Sequence, residues 1–406
     1  MTDYRPRELT RRLVSALRSL PVVVLSGLRQ TGKSTLLQRE PSVAKGRNYR
    51  TLDDFATLAA AKSQPEGLLE TAAALDEVQR CPELLATLKH AVDADRRPGR
   101  FVLSGSANLA LLGHVAETLA GRALYLTLHP MTRREIRGDT QSPPFLKRFM
   151  SRPCLPDGRV EAISDGEVLT GGLPPVCLHP EIDAAEWFRG YVQTYVERDV
   201  RQLSAISDLV AFQTLAQLAA LRTAQVLVVS AISRDAKLNA VTAGRYLGLL
   251  ETSFLIRRLP PFLNNRGSRL IKSPKLHFTD SGLAAHLAGV PAFVAGRDDL
   301  LRGALYETYV AQNLNALLEA HEPDARLSFW HEQGRHEVDF VIENGRSVFA
   351  IEVKAATRWR DDDLSGLRAF LARTPACAAA ILAYNGKDAV QLGGNLWALP
   401  IASLIG

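Results

Sequence analysis

The chain has 406 residues, of which 46% are hydrophobic and 23% charged, and a net charge of +6. It is too long for one core, so two or three domains are expected, and the mild positive charge allows a nucleic-acid partner without demanding one. Four scattered cysteines without a C-x-x-C pair exclude a disulfide framework or zinc site, and no apolar run approaches a membrane span, which excludes a membrane partner.

Residues Met1 to Arg12 are charged and lack the apolar stretch of a signal peptide, so a cytoplasmic location is expected. Val22 to Leu25 then read as a buried strand. It runs into Gly27-Leu28-Arg29-Gln30-Thr31-Gly32-Lys33-Ser34-Thr35, and Leu36-Leu37 can continue as a helix. Strand, glycine loop and helix start together make a phosphate-binding loop. Gly27 and Gly32 let the backbone curl so that successive N–H groups face phosphate oxygens. The helix N-terminus adds partial positive charge. Lys33 is expected to reach the β- and γ-phosphates, and Ser34 to offer a hydroxyl to Mg²⁺. A chance glycine turn is the competing reading, and the agreement of strand, loop and helix speaks against it.

Tyr49 to Asp54 form a short strand ending in two acids, and Ala72-Ala73-Ala74-Leu75-Asp76-Glu77 form another. An apolar strand ending in Asp-Glu downstream of a phosphate loop is a Walker B pattern. Asp76 would hold Mg²⁺ and Glu77 would orient or deprotonate the attacking water. The alternative is an acidic helix start ahead of Pro82. Arg100 to Ser106 read as a third strand, whose carboxyl end should face the nucleotide. Ser104 is placed to sense the γ-phosphate, with Ser106 and Asn108 as competitors. A helix from Ala107 to Ala120 leads to Gly121-Arg122 and a strand Ala123 to Leu128. Arg122 either projects toward a neighbouring subunit's nucleotide or is a surface arginine in a local ion pair.

This order of parts resembles the AAA+ superfamily of ATPases. The segment Leu119-Ala120-Gly121-Arg122 through His129-Pro130-Met131-Thr132-Arg133-Arg134-Glu135 resembles one branch of prokaryotic ATP-binding proteins with a C-terminal domain of unknown function. The resemblance implies ATP and Mg²⁺ as ligands and a homo-oligomer, a hexamer among the sizes such rings take.

Between Arg137 and Ile182 the composition shifts toward proline, glycine and charge, which reads as a linker or elaborated loop region. Gly171-Gly172-Leu173-Pro174 resembles a family turn. A helix is expected over Trp187 to Leu203, and its Tyr195 and Asp199 are read as packing, without chemistry. Further helices are expected at Leu209 to Leu221, near Val226 to Ile232, and from Thr242 as N-cap, followed by a strand Phe254 to Leu259. Three helices and a strand hairpin spell a winged-helix-like unit, with Arg266, Arg269, Lys272 and Lys275 on or beside its wing. Such a unit can bind a duplex backbone or serve protein contacts.

Leu276 to Leu283, with Thr279-Asp280-Ser281-Gly282 at its centre, is a strand and helix start that resembles a family signature. A long helix Gly303 to Ala320 follows, then strands at Leu327 to Trp330, Glu337 to Glu343 and Val348 to Lys354, with Asn344-Gly345 as a hairpin turn. A helix near Leu364 to Ala372 and a strand Ala378 to Ala383 follow these. Glu352 and Lys354, two apart on a strand, share a face, while Ile351 and Val353 point into a core. Asp339 lies on the preceding strand and Glu307 on the helix. The four look like the site of a PD-(D/E)XK nuclease. Three acids close together repel one another unless a cation sits among them, so a divalent-metal site is expected. The competing reading is a nuclease-like scaffold kept for binding, with Lys354 in an ion pair.

The expected fold class is α/β. A P-loop AAA+ ATPase domain with a parallel sheet covers residues 1–138. Linker and lid helices cover 139–205, a winged-helix-like module 206–290 and a PD-(D/E)XK nuclease-like α/β domain 291–406. Two functions compete. One is an ATPase that drives a DNA-binding or nuclease-like domain. The other is an ATP-controlled oligomeric switch whose C-terminal domain only binds.

Overall fold

The computed structural model describes residues 4–106, 119–194, 208–263, 272–332 and 335–406. The first sheet is parallel throughout and orders its strands β2 (Asn48–Thr51), β3 (Ala73–Asp76), β4 (Phe101–Gly105), β1 (Val22–Ser26) and β5 (Ala123–Thr127). β1 lies between β4 and β5 and is buried at every position, as its unbroken apolar run requires. Its side chains alternate between two cores. Val22 and Val24 pack with Leu75, Leu103 and the helix Leu84–Ala94 on one face. Val23 and Leu25 pack with Val102, Leu13 and Leu17 of the helix Thr10–Ser19, and Leu36 on the other. Loops at the carboxyl ends of β1, β3 and β4 therefore gather at one edge of the sheet.

A second, three-stranded sheet orders β6 (Gln225–Val226), β8 (Lys275–Phe278) and β7 (Ile256–Leu259), with β8 antiparallel to both neighbours. Helices Leu209–Leu221, Val229–Asp235 and Ala240–Thr252 complete the winged-helix-like unit. The second helix starts after β6, a short strand that helical spacing had concealed. The third is capped by Asn239, whose Oδ1 accepts from the Thr242 N–H at 2.8 Å, so Thr242 is the capped residue and Asn239 the cap.

The third sheet orders β13 (Val390–Gly393), β14 (Leu396–Pro400), β12 (Cys377–Tyr384), β11 (Ser347–Lys354), β10 (His336–Asn344) and β9 (Arg326–Glu332). Phe340, Ile342 and Ile351 pack toward the long helix Asp299–His321. Val341, Ala350 and Leu382 face Leu367 and Phe370 of the helix Ser365–Arg373. In this sheet β13 and β14 were not anticipated by sequence patterning: β13 is short and mostly exposed, with no apolar alternation to read.

The stretch read as a linker is not an exposed connection. Phe145, Phe149, Ile163 and Val168 are buried in the same core as Phe340 and Trp397. Phe149 meets Trp397 edge-on at 5.4 Å, and the Ile163 N–H donates to Asn385 Oδ1 at 2.8 Å. The helix expected over Trp187 to Leu203 is described as Ala184–Thr194; Tyr195, Asp199, Arg266, Arg269 and Asn108 lie outside the described residues.

Gly171 and Gly172 are pressed between three parts of the chain. Asp280 Oδ2 accepts the Gly172 N–H at 2.7 Å, and Oδ1 accepts the Leu283 N–H at 2.8 Å. Complete burial pushes the Asp280 carboxyl up to about 6. The Met131 N–H donates to the Gly172 carbonyl at 2.7 Å. A Cβ on Gly172 would collide with the Met131 carbonyl oxygen and the Gln312 amide. Gly172→Ala should therefore destabilise the protein by about 1–3 kcal/mol. A Cβ on Gly244, in the helix Ala240–Thr252, would meet open space, so Gly244→Ala should stabilise by ~0.5–1 kcal/mol. Urea midpoints of the two variants should move in opposite directions; a shared direction would contradict this packing.

Candidate functional site

The loop after β1 has the backbone of a phosphate cradle. Gly27, Gln30 and Gly32 have φ of 154°, 66° and 91°. A Cβ on Gly27 would strike the Leu128 carbonyl oxygen, so glycine is needed for packing as well as for φ. Gly32 is the N-cap of the helix Lys33–Arg39, whose unsatisfied N–H groups open toward the loop. Lys33 Nζ lies inside the cradle and donates to the carbonyls of Gly27 and Leu28, both at 2.9 Å. Thr31 is buried, and its hydroxyl donates to the Leu28 carbonyl at 2.9 Å. The Arg29 carbonyl accepts from the Tyr191 hydroxyl at 3.4 Å, and Thr35 is exposed beside the loop.

Asp76, at the end of β3, is buried and lies against Ser34. Its Oδ2 accepts from the Ser34 hydroxyl at 2.5 Å and from the Tyr49 hydroxyl at 2.7 Å. Burial, and then the Asp76 charge, push the Tyr49 hydroxyl up to about 12. Ser104 donates its hydroxyl to Asp76 Oδ1, so in this state Ser104 orients the acid. The Ser34 hydroxyl and the Asp76 carboxylate are hard oxygen donors of the kind Mg²⁺ takes, and the residues fit that ion.

Glu77 has φ of 58°, a strained left-handed conformation for a residue with a Cβ. Its carboxylate accepts from the Gln79 amide and, at 3.3 Å, from Ser106. Burial raises its proton affinity above the usual glutamate value, and Lys33 offsets only part of that rise. Strain and raised basicity coincide on the residue expected to activate water. Arg122 does not lie with these groups. Its guanidinium forms a two-pronged pair with Asp93 of the same chain, with both contacts at 2.8 Å, the local ion pair that was its competing reading.

Arg7 was missed by sequence reasoning. It is 7% exposed and braces the loop. Nη1 donates to the Thr31 carbonyl at 2.6 Å and Nη2 to the His129 carbonyl at 2.7 Å. Nε lies 3.0 Å from Glu135 Oε1. Glu135 also closes the capping box of the helix Arg133–Arg137 with Thr132. No local spacing marks a residue whose partners are 24 to 128 positions away, although Glu135 stood inside a noted motif. A cleft of about 500 Å³ opens beside the loop, lined by Tyr4, Arg5, Met131, Pro174, Leu178 and His179.

The C-terminal residues Glu307, Asp339, Glu352 and Lys354 do converge, but the cation among the acids is protein. Lys275 Nζ lies 2.8 Å from Glu307 Oε1, 2.6 Å from Glu337 Oε1 and 3.0 Å from Asp339 Oδ1. Asp339 Oδ2 accepts the Val353 N–H at 2.9 Å, and Lys354 Nζ donates to Glu352 Oε1 at 2.9 Å. Phe340 pairs with Ile351 across the hairpin, so Asp339 and Glu352 are neighbours. Burial, and then the Asp339 charge, push Glu352 up to about 8. Burial dominates at Glu307 too and raises it well above its ordinary value. Among the described residues no group of three or more His, Cys, Asp and Glu side chains is arranged to hold a metal ion. Lys275, expected on or beside the wing, is 2% exposed and lies among the acids read as a divalent site.

Removing Arg7 would leave Glu135 buried without its partner and the loop carbonyl unbraced. Arg7→Ala should cost about 3 kcal/mol of stability and weaken nucleotide binding. Arg7→Lys should restore little, because a single nitrogen cannot span partners that the guanidinium meets with three separate nitrogens. Calorimetric melting with and without nucleotide checks both; full recovery in Arg7→Lys would contradict the three-way brace.

An AAA domain model matches residues 19–137, and two models described as domains of unknown function, DUF8612 and DUF4143, match residues 165–293 and 302–404. Two curated relatives, uncharacterized protein Rv2008c of Mycobacterium tuberculosis and uncharacterized protein Mb2031c of Mycobacterium bovis, are each 30% identical over 409 residues, spanning 98% of this chain and 84% of theirs. Among solved structures, AMPPCP-bound DnaA of Aquifex aeolicus aligns at 14% identity and a TM-score of 0.29 over 61% of this chain and 89% of its own. A signal-transduction ATPase with a tetratricopeptide repeat sensor from Pyrococcus horikoshii aligns at 14% identity and 0.26 over 78% and 48%. No helix among the described residues is long and apolar enough to cross a membrane. The chain belongs to the same family as the two mycobacterial proteins and carries an AAA-type, ATP-binding ATPase domain followed by a C-terminal domain of unknown function.

Proposed function

We propose that the chain is a Mg²⁺-dependent ATPase whose nucleotide state is passed from the phosphate loop to a C-terminal binding domain. One observation carries the reading: Ser34, Asp76, Lys33 and the strained Glu77 meet at the carboxyl edge of the first sheet, beneath a glycine-rich loop.

ATP would lie with its triphosphate along Gly27 to Thr35 and its base and ribose in the cleft between Tyr4 and His179. Loop N–H groups and the helix N-terminus bind phosphate oxygens. Lys33 exchanges the Gly27 and Leu28 carbonyls for phosphate oxygens, so the loop holds its cation ready before substrate arrives. Mg²⁺, held by Ser34 and Asp76, would neutralise charge on the phosphates. Glu77, made more basic by burial, orients the attacking water and takes its proton. Ser104 links the Asp76 carboxylate to β4. Arg122 reaches a neighbouring subunit's nucleotide only by leaving Asp93, so the homo-oligomer it implies is a ring in which assembly breaks that pair. Duplex DNA is the partner we propose for the winged-helix-like module. A binding scaffold is favoured over a nuclease for the C-terminal domain, because lysine ammonium groups engage its acids.

Lys33→Ala should abolish ATP binding, while Glu77→Gln should bind ATP with near wild-type affinity and turn it over at least 100-fold more slowly. Equal turnover in wild type and Glu77→Gln would remove Glu77 from its role. Activity per subunit should rise with protein concentration, and mixing Arg122→Ala with Lys33→Ala chains should restore part of it. A fully active monomer would contradict the role given to Arg122.

A further inference from the structure

The acid cluster of the C-terminal domain differs from a metal site in one respect, the amine at its centre. We propose that the Lys275 ammonium is the resident cation of this cluster, holding the place a divalent metal would otherwise take, so that no metal binds there while Lys275 is present. The proposal does not rest on the ATPase reading.

The geometry fits an ammonium. An ammonium has three donors, and three carboxylates from two separate elements meet Nζ at 2.6–3.0 Å. Mg²⁺ would need its oxygens at about 2.0–2.1 Å and Ca²⁺ at about 2.3–2.6 Å, and both would claim the Glu307 and Asp339 oxygens that the amine holds. Both Asp339 oxygens are engaged, the second accepting the Val353 N–H at 2.9 Å.

The stem of Lys275 is buried with its amine. The residue lies on β8, paired with Leu259 of β7 and Val226 of β6, so the backbone beneath it is fixed from both sides. The same ion pairs fasten the winged-helix-like sheet to the hairpin β10–β11 and to the long helix. A buried charge is tolerated only when paired, and here the pairing crosses from one module to the next.

An imidazole stands beside the acids as well. His277, two residues on along β8, is buried with Nε2 3.4 Å from Glu307 Oε1. Among the described residues, neither His277 Nδ1 nor the buried Glu352 Oε2 has a hydrogen-bond partner. Without the amine, Glu307, Asp339 and His277 would offer two carboxylates and an imidazole, a donor set that suits Mn²⁺.

The test is Mn²⁺ binding to the full chain without nucleotide, read by electron paramagnetic resonance, with Asp339→Asn as the reference that separates this cluster from the phosphate loop. Wild type and Asp339→Asn should bind equal amounts of Mn²⁺. Lys275→Met, which keeps the stem and removes the charge, should gain one equivalent that Lys275→Met/Asp339→Asn loses, and its melting temperature should rise on adding Mn²⁺. A Mn²⁺ equivalent in wild type that Asp339→Asn removes would overturn the proposal, as would a folded Lys275→Met that gains none. Should Lys275→Met not fold, Lys275→Gln replaces it, and the wild-type comparison still decides by itself.

Discussion

Four buried charged side chains, Arg7, Glu8, Arg134 and Glu135, join the phosphate loop to the rest of the molecule, with His321 beside them. Arg7 grips the Thr31 carbonyl and lies against Glu135. Its neighbour Glu8 accepts from Arg134 at 2.7 Å and faces the His321 ring at 2.6 Å. Burial alone would raise Glu8, but the hydrogen bonds from His321 and Arg134 hold it below its ordinary value. His321 ends the long helix that packs on the C-terminal sheet. Two consecutive residues ahead of the first helix therefore tie the nucleotide loop, the Thr132 to Arg137 turn and the C-terminal domain into one hydrogen-bonded unit. Such a network adds little net stability compared with apolar packing, but it fixes register, and removing one member leaves its partner buried and unpaired.

This arrangement gives a physical route from nucleotide to C-terminal domain. Met131 bonds to Gly172, Gly172 to Asp280, and Gln312 to the Ser281 N–H. Arg12 reaches Glu319 of the same long helix at 2.7 Å. On the proposed reading, a loop that gives up the carbonyls of Gly27 and Leu28 when Lys33 turns to phosphate would load the Arg7–Thr31 contact first. The second ionic knot, around Lys275, lies on another part of that helix, so both knots meet on one rigid element.

The sequence made local grammar legible. The strand into glycine loop into helix was readable because all its parts lie within Val22 to Leu37, and each follows from a nearest-neighbour rule. The Asp76 and Glu77 pair was readable for the same reason, although the left-handed backbone of Glu77 was not. The hairpin of Asp339 and Glu352 was readable from Asn344-Gly345 and alternation. What escaped was set by distance along the chain. Arg7, the burial of Phe149 against Trp397, and the destination of Lys275 depend on partners tens or hundreds of residues away. Lys275 does lie on the wing sheet, but a lysine in a basic run normally faces water, and only the three-dimensional meeting of β8 with Glu307, Glu337 and Asp339 accounts for its burial. The acids do gather around a cation, the Lys275 ammonium.

The central claim is that the nucleotide at the phosphate loop is felt by the long helix through the Arg7–Glu8 network. Hydrogen exchange of the Tyr309 to His321 segment, with and without Mg²⁺-ATP in the slow Glu77→Gln protein, tests it most directly. The account predicts that ATP changes exchange in this segment, and that Glu8→Gln removes the change while ATP still binds. Exchange in the segment unaltered by saturating ATP would contradict it.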